Sequence, residues 1–368
     1  LGDYIEYNNI SIMPSKGHLT RDVDPNLIPY MYGQSYNVDE FYPGKLAELR
    51  DPYILRDYRG QTVIVYPFQY NPITKVLRVY TNIIIEISAN ENYSGKNILS
   101  RNEPLEKIDY EFGQIYAQHF ENYYNTQSRY DILEERGNML VICNDAFLDE
   151  IQPFIDWKNF KGTPTELVSL SEIGSSSSAI NDYVSDYYQN QGLTFLLLVG
   201  DINQMPSITI NGTASDPSYG YILGNDYYPE IMVGRFSAEN GTHVETQVQR
   251  TINYEKYPSN EPGAYSYGVG VGSAEGAGIG DEGQSDFQHL DEIREKLMDY
   301  NYIDLNQIYD SNGGNSSQVS TAVNSNRSLI NYTGHGSNTS WGSTGFSNSN
   351  VDALTNTEVW PAVLSVAC

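Results

Sequence analysis

The stretch NMLVICNDAFLDEIQPFIDWKNFKGTPTELVSL, residues 138–170, decides the fold. Met139–Cys143 is an unbroken apolar run, the pattern of a strand buried on both faces. The period then changes. Phe147, Ile151, Phe154, Ile155 and Trp157 fall largely on one side of a helix, and Gly162 supplies a stop signal. TELVSL, residues 165–170, returns to strand. Strand, helix and strand joined by short connections make a parallel unit with a crossover helix.

The alternation continues to the end of the chain. SSSSAINDYVSDYYQNQG (175–192) opens with capping serines and closes on glycine, as a helix does. LTFLLLVGD (193–201) is the most apolar strand. Strand EIMVGRFS, helix HVETQVQRTINYEKY, strand YSYGVGVGSAEG, helix SDFQHLDEIREKLMDY, strand IDLNQIYD, helix SSQVSTAVNSN, strand SLINYTGHG, a short helix in NVDALTN and strand PAVLSVAC complete the series. The expected fold class is α/β, a doubly wound and mostly parallel sheet with helices on both faces. Ligands of such sheets bind beyond the C-terminal ends of the strands.

Residues 1–129 read differently. QTVIVYPFQY and KVLRVYTNIIIEISA are β-branched and aromatic runs around the turn signal NPIT, a hairpin. No long helix is expected before residue 105. We therefore expect an all-β domain over 1–129 and an α/β domain over 130–368.

With 47 acidic against 21 basic residues the net charge is −26, which argues against a nucleic-acid partner and suits divalent cations and cationic substrates. Most of these charges are expected simply to solvate the surface. No run approaches the roughly 18 apolar residues of a membrane span. No signal peptide opens the chain, and its abrupt start at Leu1 reads as a processed or trimmed N-terminus. The two cysteines, Cys143 and Cys368, lie in separate apolar runs and are too few for a disulfide framework.

Three titratable groups end three of the apolar strands: Glu275, His335 and Cys368. A thiol becomes a nucleophile when an imidazole takes its proton, and a carboxylate orients that imidazole. The glycines flanking His335 allow close approach of a substrate, and the amides of Gly336 and Cys368 are candidate oxyanion donors. Singly, the cysteine is a core thiol, Gly-His-Gly a turn and the glutamate unremarkable. Their coincidence at strand ends raises the catalytic reading.

NYTGHGSNTSWG (331–342), VDALTN (351–356) and LSVAC (364–368) together resemble the catalytic core of the gingipain family of cysteine peptidases, which is caspase-like in fold. VICNDAFLDEIQPFIDWKNFKG, LLLVGD, GNDYYPEIMVGRFSAE and QRTINYEK have counterparts in the same order. The resemblance is strong over 130–368 and looser over the β region, which matches an inhibitory propeptide. It implies a secreted or cell-surface bacterial endopeptidase with Cys368 as nucleophile, His335 as base and Glu275 as the carboxylate that orients it. It implies that Asp286 receives a P1 arginine, or lysine. By residue type alone Asp286 reads first as a helix N-terminal aspartate, and only the resemblance favours the specificity role. It implies a structural calcium ion held by Asp226 and Glu230 with backbone oxygens near Leu223 and Tyr228. The plain alternative there is an acidic turn. No organic cofactor is expected. It implies processing between Arg129 and Tyr130, with the propeptide an intramolecular inhibitor until then. The family's catalytic domain continues past the nucleophile, so a sheet edge and one pocket wall are expected to be missing here. Two other readings stay open: a sortase-like transpeptidase, and a binding or adhesin module that keeps the fold without the chemistry.

Overall fold

The computed structural model describes residues 2–20, 23–88, 95–100, 105–123, 133–278, 283–357 and 359–367. The chain divides into two compact units. The first comprises Leu1–Tyr7, Phe41–Tyr70 and Leu77–Ile252; the second comprises Asn8–Glu40, Asn71–Val76 and Asn253–Cys368.

The first unit holds a four-stranded sheet in the order Thr165–Ser169, Met139–Cys143, Phe195–Val199, Met232–Phe236, all parallel. Side chains alternate across it. Leu140, Ile142, Leu196 and Leu198 pack with Ile180 and Val184 of the helix Ser177–Gln191 on one face. Val141, Cys143, Leu197 and Val199 pack with Ile151, Phe154 and Ile155 of the helix Leu148–Phe160, and with Val244 and Val248 of the helix Gly241–Lys256, on the other. Apolar residues at every position of the central strands follow from this two-sided burial. Trp157, expected with this face, is only partly buried.

The second unit repeats the design. Its sheet runs Asp304–Tyr309, Tyr267–Gly272, Leu329–Thr333, Ala362–Val366, again all parallel. One face is closed by Val319, Ala322 and Val323 of the helix Ser316–Asn324 and by Phe346. The alternation in YGVGVG sends Val269 and Val271 to that face and leaves glycines on the other. There the helix Asp286–Asp299 comes so close that a Cβ on Gly272 would lie 2.6 Å from Leu290 Cδ1. The strand Ala362–Val366 forms one edge of this sheet, with Val363, Leu364 and Val366 exposed. The α/β class holds, but the strands expected in one sheet are shared between two, each wound the same way.

The N-terminal region is β-rich as expected. Gly2–Tyr7 pairs antiparallel with Val76–Ile83, which also pairs with Phe68–Asn71. It also contains a helix, Tyr110–His119, which the β reading did not foresee. Phe112 and Tyr116 bury that helix against Tyr53, Leu55 and Ile108, so its stability comes from one apolar face rather than from its length. Among the described residues no helix is long and apolar enough to cross a membrane.

Cys143 is fully buried at the end of its strand, and burial, with the carboxylates of Glu150 and Asp145 adding to it, pushes its thiol up to about 12. It is a core thiol. In the native chain it is expected to resist alkylation at neutral pH and to react after denaturation, as read by mass spectrometry. Leu198→Ala, which opens a void beside fully buried neighbours, is expected to cost about 2–5 kcal/mol in denaturant unfolding.

Candidate active site

In each sheet the chain runs from the second strand in the order to the first and then crosses to the third. The crevice of such a sheet opens between those last two starting points, at the carboxyl ends of the strands where the winding reverses. In the second sheet these are Tyr267–Gly272 and Leu329–Thr333, the strands that lead to Glu275 and His335. Gly272 is opposite Thr333, and Thr333 is opposite Val366 of the edge strand. Three strand ends therefore coincide, and Cys368 follows Val366 by two positions in sequence.

His335 and Glu275 meet as expected: Nε2 lies 2.8 Å from Oε2, with both side chains about half exposed. The backbone holds the imidazole from behind. The His335 carbonyl accepts the Gly342 N–H at 2.7 Å and the Tyr332 hydroxyl. The Trp341 ring stacks on Tyr332 at 4.5 Å, almost parallel, and its indole N–H donates to Ser365 Oγ at 3.2 Å. The Gly334 N–H donates to the Val366 carbonyl at 3.2 Å, tying the histidine loop to the edge strand. Tyr332, Trp341 and Ser365 were absent from the sequence reading. The signal for Trp341 was its place in TGHGSNTSW, but its stacking depends on a return of the chain that spacing does not announce. Gly336 faces Trp341 in an isolated β-bridge.

Asp286 is the first residue of its helix and only 6% exposed. Its carboxylate accepts the Ser273 hydroxyl at 2.5 Å, and its N–H donates to the Glu275 carbonyl at 3.0 Å. Phe287 N–H donates to the Ser273 carbonyl at 3.1 Å. The glycine face of YGVGVG lets this helix settle close to the sheet, and Ser285 with Gln288 forms a capping box at its start. A buried carboxylate is thereby held just past the same strand that delivers Glu275.

Asp226 and Glu230, the carboxylates that the resemblance assigns to calcium, both meet backbone N–H groups of the same hairpin. All four carboxylate oxygens accept N–H groups. Asp226 Oδ1 accepts from Tyr228, and Oδ2 accepts from Ile54 at 2.9 Å and from the Asn97 amide at 3.1 Å. Glu230 Oε2 accepts from Ile222 and Leu223, each at 2.8 Å, and Oε1 from Arg56 at 3.4 Å. Burial is the main cause that pushes the Glu230 carboxyl up to about 7. Calcium wants about six to eight oxygens turned toward it. Here Leu223 and Tyr228 turn their N–H groups to the carboxylates, and among the described residues no cluster of three or more acidic, His or Cys side chains could hold a metal. As arranged, the four residues do not fit the ion, and the acidic turn is the better description.

Cys368, Arg129 and Tyr130 lie outside the described residues.

The comparisons with known proteins match two stretches of the chain. The model of peptidase family C25 matches residues 132–368, and that of the family's propeptide matches residues 2–119. Gingipain R2 of Porphyromonas gingivalis is 41% identical over 371 residues, covering 99% of this chain and 50% of its own length. Lys-gingipain of the same organism is 23% identical over 381 residues, covering 99% of this chain and 21% of its own length. The chain thus spans about half the length of the gingipain R2 relatives it matches, and less of others. Among solved structures, the complex of the Porphyromonas gingivalis RgpB pro- and mature domains superposes with a TM-score of 0.61 at 39% identity, over 63% of this chain and 56% of that one. The Arg specific cysteine proteinase gingipain R gives a TM-score of 0.61 at 39% identity, over 65% and 56%. On a full-length match and a family model that covers most of the chain, the protein belongs to peptidase family C25, the gingipain family, and carries that family's propeptide region at its N-terminal end.

Proposed function

We propose that the chain is the latent form of a secreted cysteine endopeptidase that cuts after a basic P1 residue, arginine before lysine. The observation that carries the reading is the His335 Nε2–Glu275 Oε2 contact of 2.8 Å beside the strand that leads to Cys368. With Nε2–H donating to Glu275, Nδ1 is left to exchange a proton with the thiol. The Cys368 thiolate attacks the P1 carbonyl carbon and a C–S bond forms. The oxyanion is stabilised by N–H groups, for which Gly336 and Cys368 are the candidates. As the C–N bond breaks, His335 protonates the leaving amine. It then takes a proton from water, which attacks the thioester and restores the thiol.

Asp286 is the proposed receiver of the P1 guanidinium. A carboxylate shielded from water pairs with arginine bidentately and discriminates strongly against neutral side chains. Relatives at 41% identity are named gingipain R and the Lys-gingipains match at 23%, which supports arginine over lysine. One solved relative at 39% identity is named an Arg specific cysteine proteinase, which favours hydrolysis over transpeptidation and over a silent binding module. Calcium has no part in this reading, since the oxygens of Asp226 and Glu230 are engaged by N–H groups.

Latency is attributed to the propeptide region, with processing at Arg129–Tyr130. Its segment Asn8–Glu40 belongs to the same unit as His335 and Glu275. Pro25 lies against Gly278, where an added Cβ would come within 3.2 Å of its ring. Lys16 Nζ donates to the Pro25 carbonyl at 2.5 Å and sits over the Tyr30 ring. The propeptide region thus meets the later part of the chain at Gly278, three residues after Glu275.

Cys368→Ala is expected to abolish cleavage of an arginine-P1 peptide and of the junction itself while leaving the melting temperature unchanged. Wild-type turnover in that variant would sink the proposal. Asp286→Asn is expected to lower kcat/KM for arginine substrates by roughly 30-fold or more, the scale of a truncated buried charge pair, with a smaller effect on a neutral P1 side chain. Equal losses for both substrates would reduce Asp286 to a helix-capping role.

A further inference from the structure

We propose that Arg56 is the anchor that keeps the propeptide region on the catalytic part of the chain after the junction is cut. This rests on the reading of residues 2–119 as a propeptide, and it adds where that propeptide is gripped. Arg56 stands at the tip of a hairpin formed by Tyr53–Leu55 and Tyr58–Gly60. Its φ is 47°, in the left-handed region that tight two-residue hairpin turns use.

The side chain is 8% exposed. Nη1 donates to the Leu193 carbonyl at 2.6 Å and to the Glu230 carbonyl at 3.0 Å. Nη2 donates to the carboxylate of Asp109, which also accepts the Thr194 hydroxyl. The guanidinium lies 4.5 Å from the Phe112 ring and 5.6 Å from the Tyr188 ring. Of these partners Leu193, Thr194, Tyr188 and Glu230 belong to the catalytic region, and Asp109 and Phe112 to the propeptide. The two carbonyls lie just before neighbouring strands of the first sheet, so one planar fork closes the sheet's amino end and the propeptide together.

The rest of the hairpin reinforces the contact. The N–H groups of Ile54 and Arg56 reach the carboxylates of Asp226 and Glu230. The Tyr53 ring stacks on Tyr228 at 4.1 Å. The acidic turn that fits no calcium ion is therefore a receptor for the propeptide. Its acceptors are met by N–H groups, several of them from the hairpin and from Asn97.

Loss of the guanidinium would leave Asp109 buried without its countercharge and two carbonyls without donors, which makes the contact costly to break. A lysine cannot reproduce it, because one ammonium point charge cannot span two carbonyls and a carboxylate in a plane. The Arg56 socket belongs to the first unit, whereas the Asn8–Glu40 segment belongs to the second with His335 and Glu275. Retention at the first sheet and the contact of Pro25 with Gly278 thus fall to different residues.

The test uses the whole chain with Cys368→Ala, so that no peptidase activity is needed. A recognition sequence for a site-specific protease replaces the junction, the chain is cut, and the two fragments are followed by gel filtration over a dilution series. The wild-type fragments are expected to co-elute. Arg56→Ala is expected to raise the concentration at which they separate by roughly 30-fold or more. Arg56→Lys is expected to behave in the same direction, and it decides the matter if Arg56→Ala melts before cutting. Lys16→Ala, in the other unit, is expected to co-elute as wild type. Co-elution of both arginine variants at wild-type dilution overturns the proposal. Because retention is read on an inactive chain, that outcome is distinct from a failure of the peptidase reading, which Cys368→Ala tests by turnover.

Discussion

The register of three parallel strands is the constraint on which the rest depends. Gly272, Thr333 and Val366 lie side by side because Tyr267–Gly272, Leu329–Thr333 and Ala362–Val366 pair in parallel without a slip. Parallel strands all end at the same side of a sheet, so whatever follows those three residues is gathered into one crevice. Glu275 follows the first and His335 the second, and their 2.8 Å contact results from that register. A one-residue slip would reverse the facing of a whole strand, and in Tyr267–Gly272 it would turn Val269 and Val271 out of their apolar cluster toward the closely packed helix Asp286–Asp299. The small residues of YGVGVG serve the same end. They let the helix Asp286–Asp299 sit down on the sheet and carry a buried carboxylate to the rim of the crevice.

The chain separates its charges and its thiols by environment. Most of the acidic excess stays at the surface, where water solvates and screens it. A few charged groups are buried, and each is answered: Arg56 by Asp109 and two carbonyls, Glu230 by three N–H groups, Asp286 by Ser273. The two cysteines illustrate the same rule. Both end apolar strands in the sequence, but Cys143 is sealed in the first core, where burial holds its proton, while Cys368 follows an exposed edge strand. Apolar context alone does not distinguish an inert thiol from a candidate nucleophile.

Much was legible from sequence. The strands and helices after residue 138 fall where the periodicity puts them, because each repeats an apolar pattern that only one secondary structure can bury. Glu275 and His335 were also visible, since each stands at the end of an apolar strand, and the two do meet, whereas Asp286 was reached only through the family resemblance. What was missed has a common cause. The helix Tyr110–His119 is short and held by tertiary packing; Trp341 acts through a return of the chain; Arg56 sits in a hairpin turn where an arginine ordinarily faces water. The calcium expectation turns on a different feature. An acidic turn has the right residue types, but whether carbonyls or N–H groups face the carboxylates is a matter of backbone orientation, and here N–H groups do.

By itself, then, the sequence determined the class of fold, the order of its elements and the residue types waiting at the strand ends, because hydrophobic period and turn chemistry act over a few residues. Tertiary structure alone decided that the strands form two sheets, that Glu275 and His335 come within hydrogen-bond distance, and that an arginine of the propeptide region is buried against the carbonyls of Leu193 and Glu230. Those outcomes depend on contacts between residues far apart in the chain, and such contacts are set by strand order and register, which local patterns do not encode.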